Sequence, residues 1–163
     1  MVSVEEYLNT SYPDGDREYI DGEIVERNLG TFDHSDWQSG MLAYLRANYK
    51  AFWSGVELRV QVKPTRFRVP DVSCVKKPRP KALILTEPPF LVIEVLSPDD
   101  RADDIQEKID DYLSFGIPYV WVVNPRTRRG FVYTADGMRG AKDGVMRTSS
   151  PEIELPLKAL DFT

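Results

Sequence analysis

The sequence predicts an α/β fold, and three features carry the prediction. Phe90 to Leu96 is a short run apolar on both faces apart from Glu94, the pattern of a central strand covered on both sides. A helix follows Ser97-Pro98-Asp99-Asp100, with Ile105, Ile109, Tyr112 and Leu113 on one face and Gly116 as its stop. Tyr119 to Val123 then repeats the buried-strand pattern, so that strand, helix and strand succeed one another.

The remaining elements follow in chain order. Ser3 and Glu6 have capping-box spacing, which predicts a short helix that stops before Pro13. Pro13 to Asp16 is a turn. Asp21-Gly22 between Glu18-Tyr19-Ile20 and Glu23-Ile24-Val25-Glu26 reads as a hairpin, because that dipeptide tolerates the positive φ a two-residue turn demands. Trp37, Met41, Tyr44, Leu45 and Tyr49 recur at helical spacing, with Asp33 or Ser35 as N-cap and an end near Lys50. Val56 to Val62 alternates as a strand, and so does Phe67 to Val75. The prolines at 78, 80, 88 and 89 make residues 77–89 a loop. Asn124-Pro125 turns the chain, Phe131 to Tyr133 pairs beside the preceding strand, and the tail with Ile153, Leu155, Leu157 and Leu160 forms a terminal strand and short turn.

At 163 residues, 42% hydrophobic and 29% charged, the chain suits one core, read as a single domain over 1–163. Its 21 Lys+Arg against 26 Asp+Glu give a net charge of −5, which argues against coating nucleic acid through bulk charge. A local excess exists all the same, since residues 57–81 hold eight Lys/Arg against Glu57 and Asp71, a balance of +6, and Arg126, Arg128 and Arg129 form a second basic turn. Either suits a phosphate-facing surface, or simply a solvated edge. One cysteine and one histidine exclude a disulfide framework and a Cys/His zinc site within the chain. No leader pattern and no apolar run near ~20 residues is seen, so a cytoplasmic protein with no membrane partner is expected.

Glu94 is the most informative residue, because a carboxylate inside a doubly covered strand is costly to bury without compensation. Asp71 raises the same question on the preceding strand. If the two strands are neighbours, both acids converge on one spot, and paired hard oxygen donors suit Mg²⁺ or Mn²⁺. The alternative is pairing with an arginine such as Arg59 or Arg68. Asp104, Lys108 and Tyr112 recur every four residues along the edge of the apolar stripe of the following helix, where a lysine can reach the end of the Glu94 strand; an Asp104–Lys108 surface pair is the plainer reading.

Arg68-Val-Pro70-Asp71-Val-Ser73, then Pro89-Phe-Leu-Val-Ile-Glu94-Val-Leu-Ser97-Pro98, then Asp104, Lys108, Tyr112 and Gly116, then Tyr119-Val-Trp-Val-Val-Asn124-Pro125 together resemble the Uma-two (Uma2) family. That family is grouped with the restriction-endonuclease-like proteins of the PD-(D/E)XK nuclease superfamily. With the Tyr19–Glu26 hairpin and His34, the resemblance spans most of residues 3–134. It implies a mixed central β-sheet flanked by α-helices, Asp71 and Glu94 as ligands of a divalent metal, and Lys108 as the active-site lysine. It also places Glu23 and His34 near the cleft as second-tier candidates, beside Asp104 and Tyr112. The superfamily's lysine usually stands two residues after the acid, which here is Leu96, so Lys108 replaces it from the helix.

The resulting expectation is a Mg²⁺-dependent endonuclease (Mn²⁺ an alternative) that hydrolyses DNA phosphodiester bonds through Asp71, Glu94 and Lys108. DNA is the expected partner, with a homodimer left open. The rival reading is a catalytically inactive nuclease-fold scaffold that binds nucleic acid or protein.

Overall fold

Ser3 caps α1 (Val4–Leu8) by accepting the Glu6 N–H at 3.1 Å, as its spacing requires. The computed structural model describes residues 1–12, 17–27 and 30–160. The turn expected at Pro13 to Asp16 lies outside the described residues. β1 (Glu18–Ile20) and β2 (Glu23–Val25) form the expected hairpin, with Asp21 and Gly22 at φ of 50° and 100°. α2 (Phe32–Asn48) is capped by Thr31, whose side chain accepts the His34 N–H at 3.2 Å. Asp33 and Ser35 are thus inside the first turn and are not the cap, because only Thr31 has the extended backbone a cap needs. The helix stops at Asn48, two residues before Lys50.

The two long alternating stretches are each broken, because the chain changes sheets within them. β3 (Phe52–Val56) ends where Glu57 turns left-handed at φ 52°, and β4 (Val60–Lys63) starts in a second sheet. β5 (Arg66–Arg68) likewise ends before Pro70, which has no N–H to give a ladder, and β6 (Val72–Lys76) returns to the first sheet. Alternation passes through the first break without a fault and could not show it, whereas in the second stretch the apolar residues change parity between Val69 and Val72, where the break falls.

β7 (Leu91–Val95) leads through α3 (Ala102–Phe115) to β8 (Tyr119–Asn124), which lies parallel to β7. Gly116 ends α3 at φ 104°, the left-handed stop that the sequence reading required. β9 (Arg129–Thr134) and β10 (Gly137–Gly140) complete a mixed six-stranded sheet of order β10-β9-β8-β7-β6-β3. The smaller sheet runs β2-β1-β5-β4 and is antiparallel throughout. β11 (Val145–Thr148) and β12 (Ile153–Pro156) pair in a third, two-stranded sheet before a 3₁₀ turn over Leu157–Leu160.

Pleat parity decides what each face of β7 meets. Leu91, Ile93 and Val95 pack with Trp121 and Val123 against Trp37, Met41 and Leu45 of α2. Val92 packs with Val120 and Val122 against Ile109 and Tyr112 of α3. Glu94 shares the parity of Val92 and so faces α3. The antiparallel register Val72↔Ile93, carried one residue further, sets Asp71 opposite Glu94.

A buried ion lattice ties the smaller sheet to α3. Arg68, 4% exposed, donates from Nε to Asp111 Oδ2 at 2.9 Å and from Nη1 to Glu18 Oε1 at 3.3 Å. Arg66 binds Asp21 and Asp111. These arginines, grouped by sequence with a phosphate-facing strip, are instead held internally, and Arg59 lies 4.5 Å over the Tyr7 ring. Removing Arg68 would leave Glu18 and Asp111 buried with less cation around them. Arg68→Ala is expected to cost about 3–5 kcal/mol in urea denaturation, and a loss below about 1 kcal/mol would show that the lattice does not join the two parts.

Candidate active site

Asp71 follows the proline that closes one sheet and precedes the strand that opens the other, so its backbone is fixed from both sides. Its Oδ2 accepts the Val95 N–H at 2.7 Å. Its Oδ1 takes Arg27 Nη2 at 2.8 Å and lies 3.3 Å from His34 Nε2. Arg27 also donates from Nη1 to Glu57 Oε1 at 2.7 Å, bridging the left-handed bend to Asp71. Glu94, 5% exposed, accepts the Tyr112 O–H at 2.6 Å. Lys108 Nζ lies 3.6 Å from Glu18 Oε1, and the other Glu18 oxygen accepts the Val69 N–H at 2.9 Å.

Arg27, His34, Asp71, Glu94 and Lys108 line one cavity of about 240 Å³. Its electrostatics are tense. Burial pushes the Glu94 carboxyl up to about 7; Lys108 pulls it down, while Asp71 and Glu18 push it further up. Burial opposes the charge on Lys108, yet Glu94 and Glu18 outweigh it and hold the ammonium above its ordinary value. Arg27 is held charged in the same way: burial works against it and Asp71, Glu94 and Glu57 prevail. The hydrogen bond to Asp71 raises His34, favouring the imidazolium.

Residues 4–160 match the model of the Uma2 family, whose description is "Putative restriction endonuclease". The chain belongs to the Uma2 family. Among solved structures it is similar to a "putative nuclease belonging to DUF820" from Anabaena variabilis ATCC 29413, with a TM-score of 0.82 and 23% identity over 98% of this chain and 97% of that one. At that identity the likeness establishes the fold, which is restriction-endonuclease-like. No curated protein matches the chain.

Of the residues singled out by sequence, this Uma2 chain brings Asp71, Glu94, Lys108 and His34 to one cavity, and Tyr112 stands behind Glu94 as its hydrogen-bond donor. Glu23 does not join them: it is exposed on β2 and lies off the cavity wall, because it opens the strand after the hairpin turn. Asp104 is exposed on α3 and also lies off the wall; the partner of Lys108 is Glu18, across the helix from the solvent. Leu96, two residues after Glu94, packs in the apolar cluster beneath α3.

Sequence reasoning missed Arg27, Glu18 and Glu57. Glu18 carries a local signal, an acid opening the strand that continues in Tyr19 and Ile20. Arg27 carries none, since its partner Asp71 is 44 residues away.

Among the described residues no group of three or more His, Cys, Asp or Glu side chains is arranged to hold a metal. The chemistry of the pair Asp71 and Glu94 nevertheless fits a hard divalent ion. Both are oxygen donors that line one cavity, and burial first, then the charges of Asp71 and Glu18, raise the Glu94 carboxyl. Arg27 and His34 compete with such an ion for Asp71 Oδ1.

The Glu94 shift has a measurable consequence. Below its ordinary value of 4.5 the carboxyl is neutral in both folded and unfolded chains, and the fold's preference for the proton contributes fully. That contribution is lost as pH rises through about 7. Metal-free protein is therefore expected to lose stability across this window, and Glu94→Gln to escape that loss. Denaturation at pH 5 and pH 8 would show the variant gaining on wild type by up to about 3 kcal/mol at the higher pH.

Proposed function

We propose that this Uma2 protein is an endonuclease that hydrolyses phosphodiester bonds of DNA with Mg²⁺, or Mn²⁺ in its place. The observation that supports the reading best is the convergence of Asp71, Glu94 and Lys108 on one cavity from the β5–β6 crossing, β7 and α3. Asp71 and Glu94 would hold the ion, which supplies a Lewis acid for the phosphate and a more acidic bound water. The family description and the name of the similar structure point the same way.

The chain's own groups have separate tasks. Lys108, kept protonated between Glu94 and Glu18, stabilises negative charge that develops on the phosphate oxygens. Tyr112 fixes one oxygen of Glu94, which lines the cavity. The Val95 N–H orients the Asp71 carboxylate. His34 and Arg27 bring positive charge to the same wall, where an entering phosphate diester meets them.

A catalytically silent binding module is the second reading, and one observation favours it: both Asp71 oxygens already have internal partners. Calorimetry separates the two. Mn²⁺ is expected to bind wild-type protein and to be lost in Asp71→Ala, and unchanged affinity in a folded Asp71→Ala protein would remove Asp71 from the ligand set.

Lys108→Ala is expected to lower Mg²⁺-dependent DNA cleavage by about 10²–10³-fold. Its side chain is 17% exposed and paired with Glu18, so the substitution also costs stability, contrary to the sequence-based view of a residue merely bordering the core. A Leu96→Lys, Lys108→Ala protein tests the relocation of the lysine, with partial recovery of cleavage expected. Cleavage by Lys108→Ala at the wild-type rate would show the lysine to be misassigned.

A further inference from the structure

A second cavity, of about 580 Å³, opens beside the first between α3, β8, β9 and the start of α2. The two share Ser97 and Asp100 on the loop from β7 to α3 and so lie side by side. The crevice lies at the carboxyl ends of β7 and β8, the parallel pair of the large sheet, the place where open α/β sheets receive ligands. Its walls differ sharply from those of the catalytic cavity: Ile105, Val122, Phe131 and Tyr133 make it apolar and aromatic.

We propose that this crevice seats the unpaired base of the nucleotide next to the scissile phosphate, so that the preferred substrate is single-stranded DNA; this rests on the nuclease reading above. Charge sorts the parts of the nucleotide. Asp33 and Asp100 stand in the crevice wall and repel a phosphate, while their oxygens can accept from the amino groups of a base. The Asp100 carboxylate is fixed there by the Ser97 N–H, donated to Oδ2 at 2.8 Å. Cations flank the crevice on both sides. Arg27 and Lys108 lie in the catalytic cavity, and Arg126 lines the crevice at the turn before β9, whose first residue is Arg129, both exposed. A phosphate, a base and a second phosphate then meet cation, aromatic and cation in turn.

Phe32 supplies an independent observation. It sits between the crevice residues Thr31 and Asp33 at the first turn of α2, yet it is 91% exposed. A fully solvated phenyl ring beside an aromatic crevice is a stacking platform, since every base offers a π-face. Bases in a duplex are stacked and paired and cannot enter such a site without being turned out, a cost that a single strand does not carry.

Fluorescence anisotropy with wild-type protein in EDTA tests this without cleavage. The probes are a labelled oligodeoxynucleotide, its duplex, and the same strand carrying abasic positions. The intact single strand is expected to bind about tenfold or more tightly than either of the others. Phe32→Ala, which alters an exposed side chain and leaves the core untouched, should weaken single-strand binding about tenfold. Ala102→Trp, which fills the crevice from an exposed position on α3, should do the same. Equal binding of duplex and single strand, indifference to abasic positions, or no binding at all overturns the proposal. Parallel cleavage assays with Mn²⁺ keep the two readings apart. Phe32-dependent single-strand binding without any cleavage upholds the crevice and sinks the nuclease, whereas duplex cleavage unaffected by Phe32→Ala does the reverse.

Discussion

The bond from the Val95 N–H to Asp71 Oδ2 joins the point where the chain changes sheets to the end of the central strand. Everything in the candidate site depends on it. It brings a carboxylate from the β5–β6 crossing up against β7, on the face where Glu94 already looks toward α3. With that placement fixed, α3 needs only its ordinary apolar stripe for Tyr112 to meet Glu94 and for Lys108 to stand beside both acids. The geometry follows from strand pairing and helix packing, and the burial of charge is the cost that comes with it.

Two acids placed so closely need cations, and the structure supplies them from opposite directions. Lys108 comes from α3, and Arg27 comes from the end of the hairpin in the smaller sheet. Burial, with Asp71 and Glu18 close by, holds the Glu94 carboxyl up in spite of Lys108. This arrangement suits the proposed reading, in which the carboxylates would take a metal ion and the cations a phosphate.

The central strand, the helix that leaves it and the acid between them were legible because each obeys a local rule: a doubly apolar run, a repeat of three and four, and a carboxylate where none belongs. The sheet change was not. Val56 to Val62 keeps its alternation through Glu57, and pattern alone does not say which neighbour a strand will choose. Pro70 was a visible warning that the second stretch could not be one central strand. The capping residue of α2 was missed by two positions because Thr31, Asp33 and Ser35 all carry suitable oxygens, and the choice rests on backbone angles that the sequence does not record. Arg27 and Glu18 act across long sequence separations, so their roles emerge only when the two sheets are set side by side.

The parting of the sheets has a dynamic meaning. The bend at Glu57 and the crossing at Asp71 are adjacent, with the Glu57 N–H donating to the Asp71 carbonyl at 3.3 Å. The candidate cavity therefore lies at a seam between the two sheets, the smaller of which has its own aromatic cluster of Tyr7, Tyr19 and Phe67. Partial opening along that seam would carry Arg27 and Glu18 away while Asp71, Glu94 and Lys108 stay on the large sheet and its helix. Val60 and Val62 of β4 pack into the cluster beneath α3, so such an opening would also cost apolar contact there, and the site would lose its cations only together with part of that core.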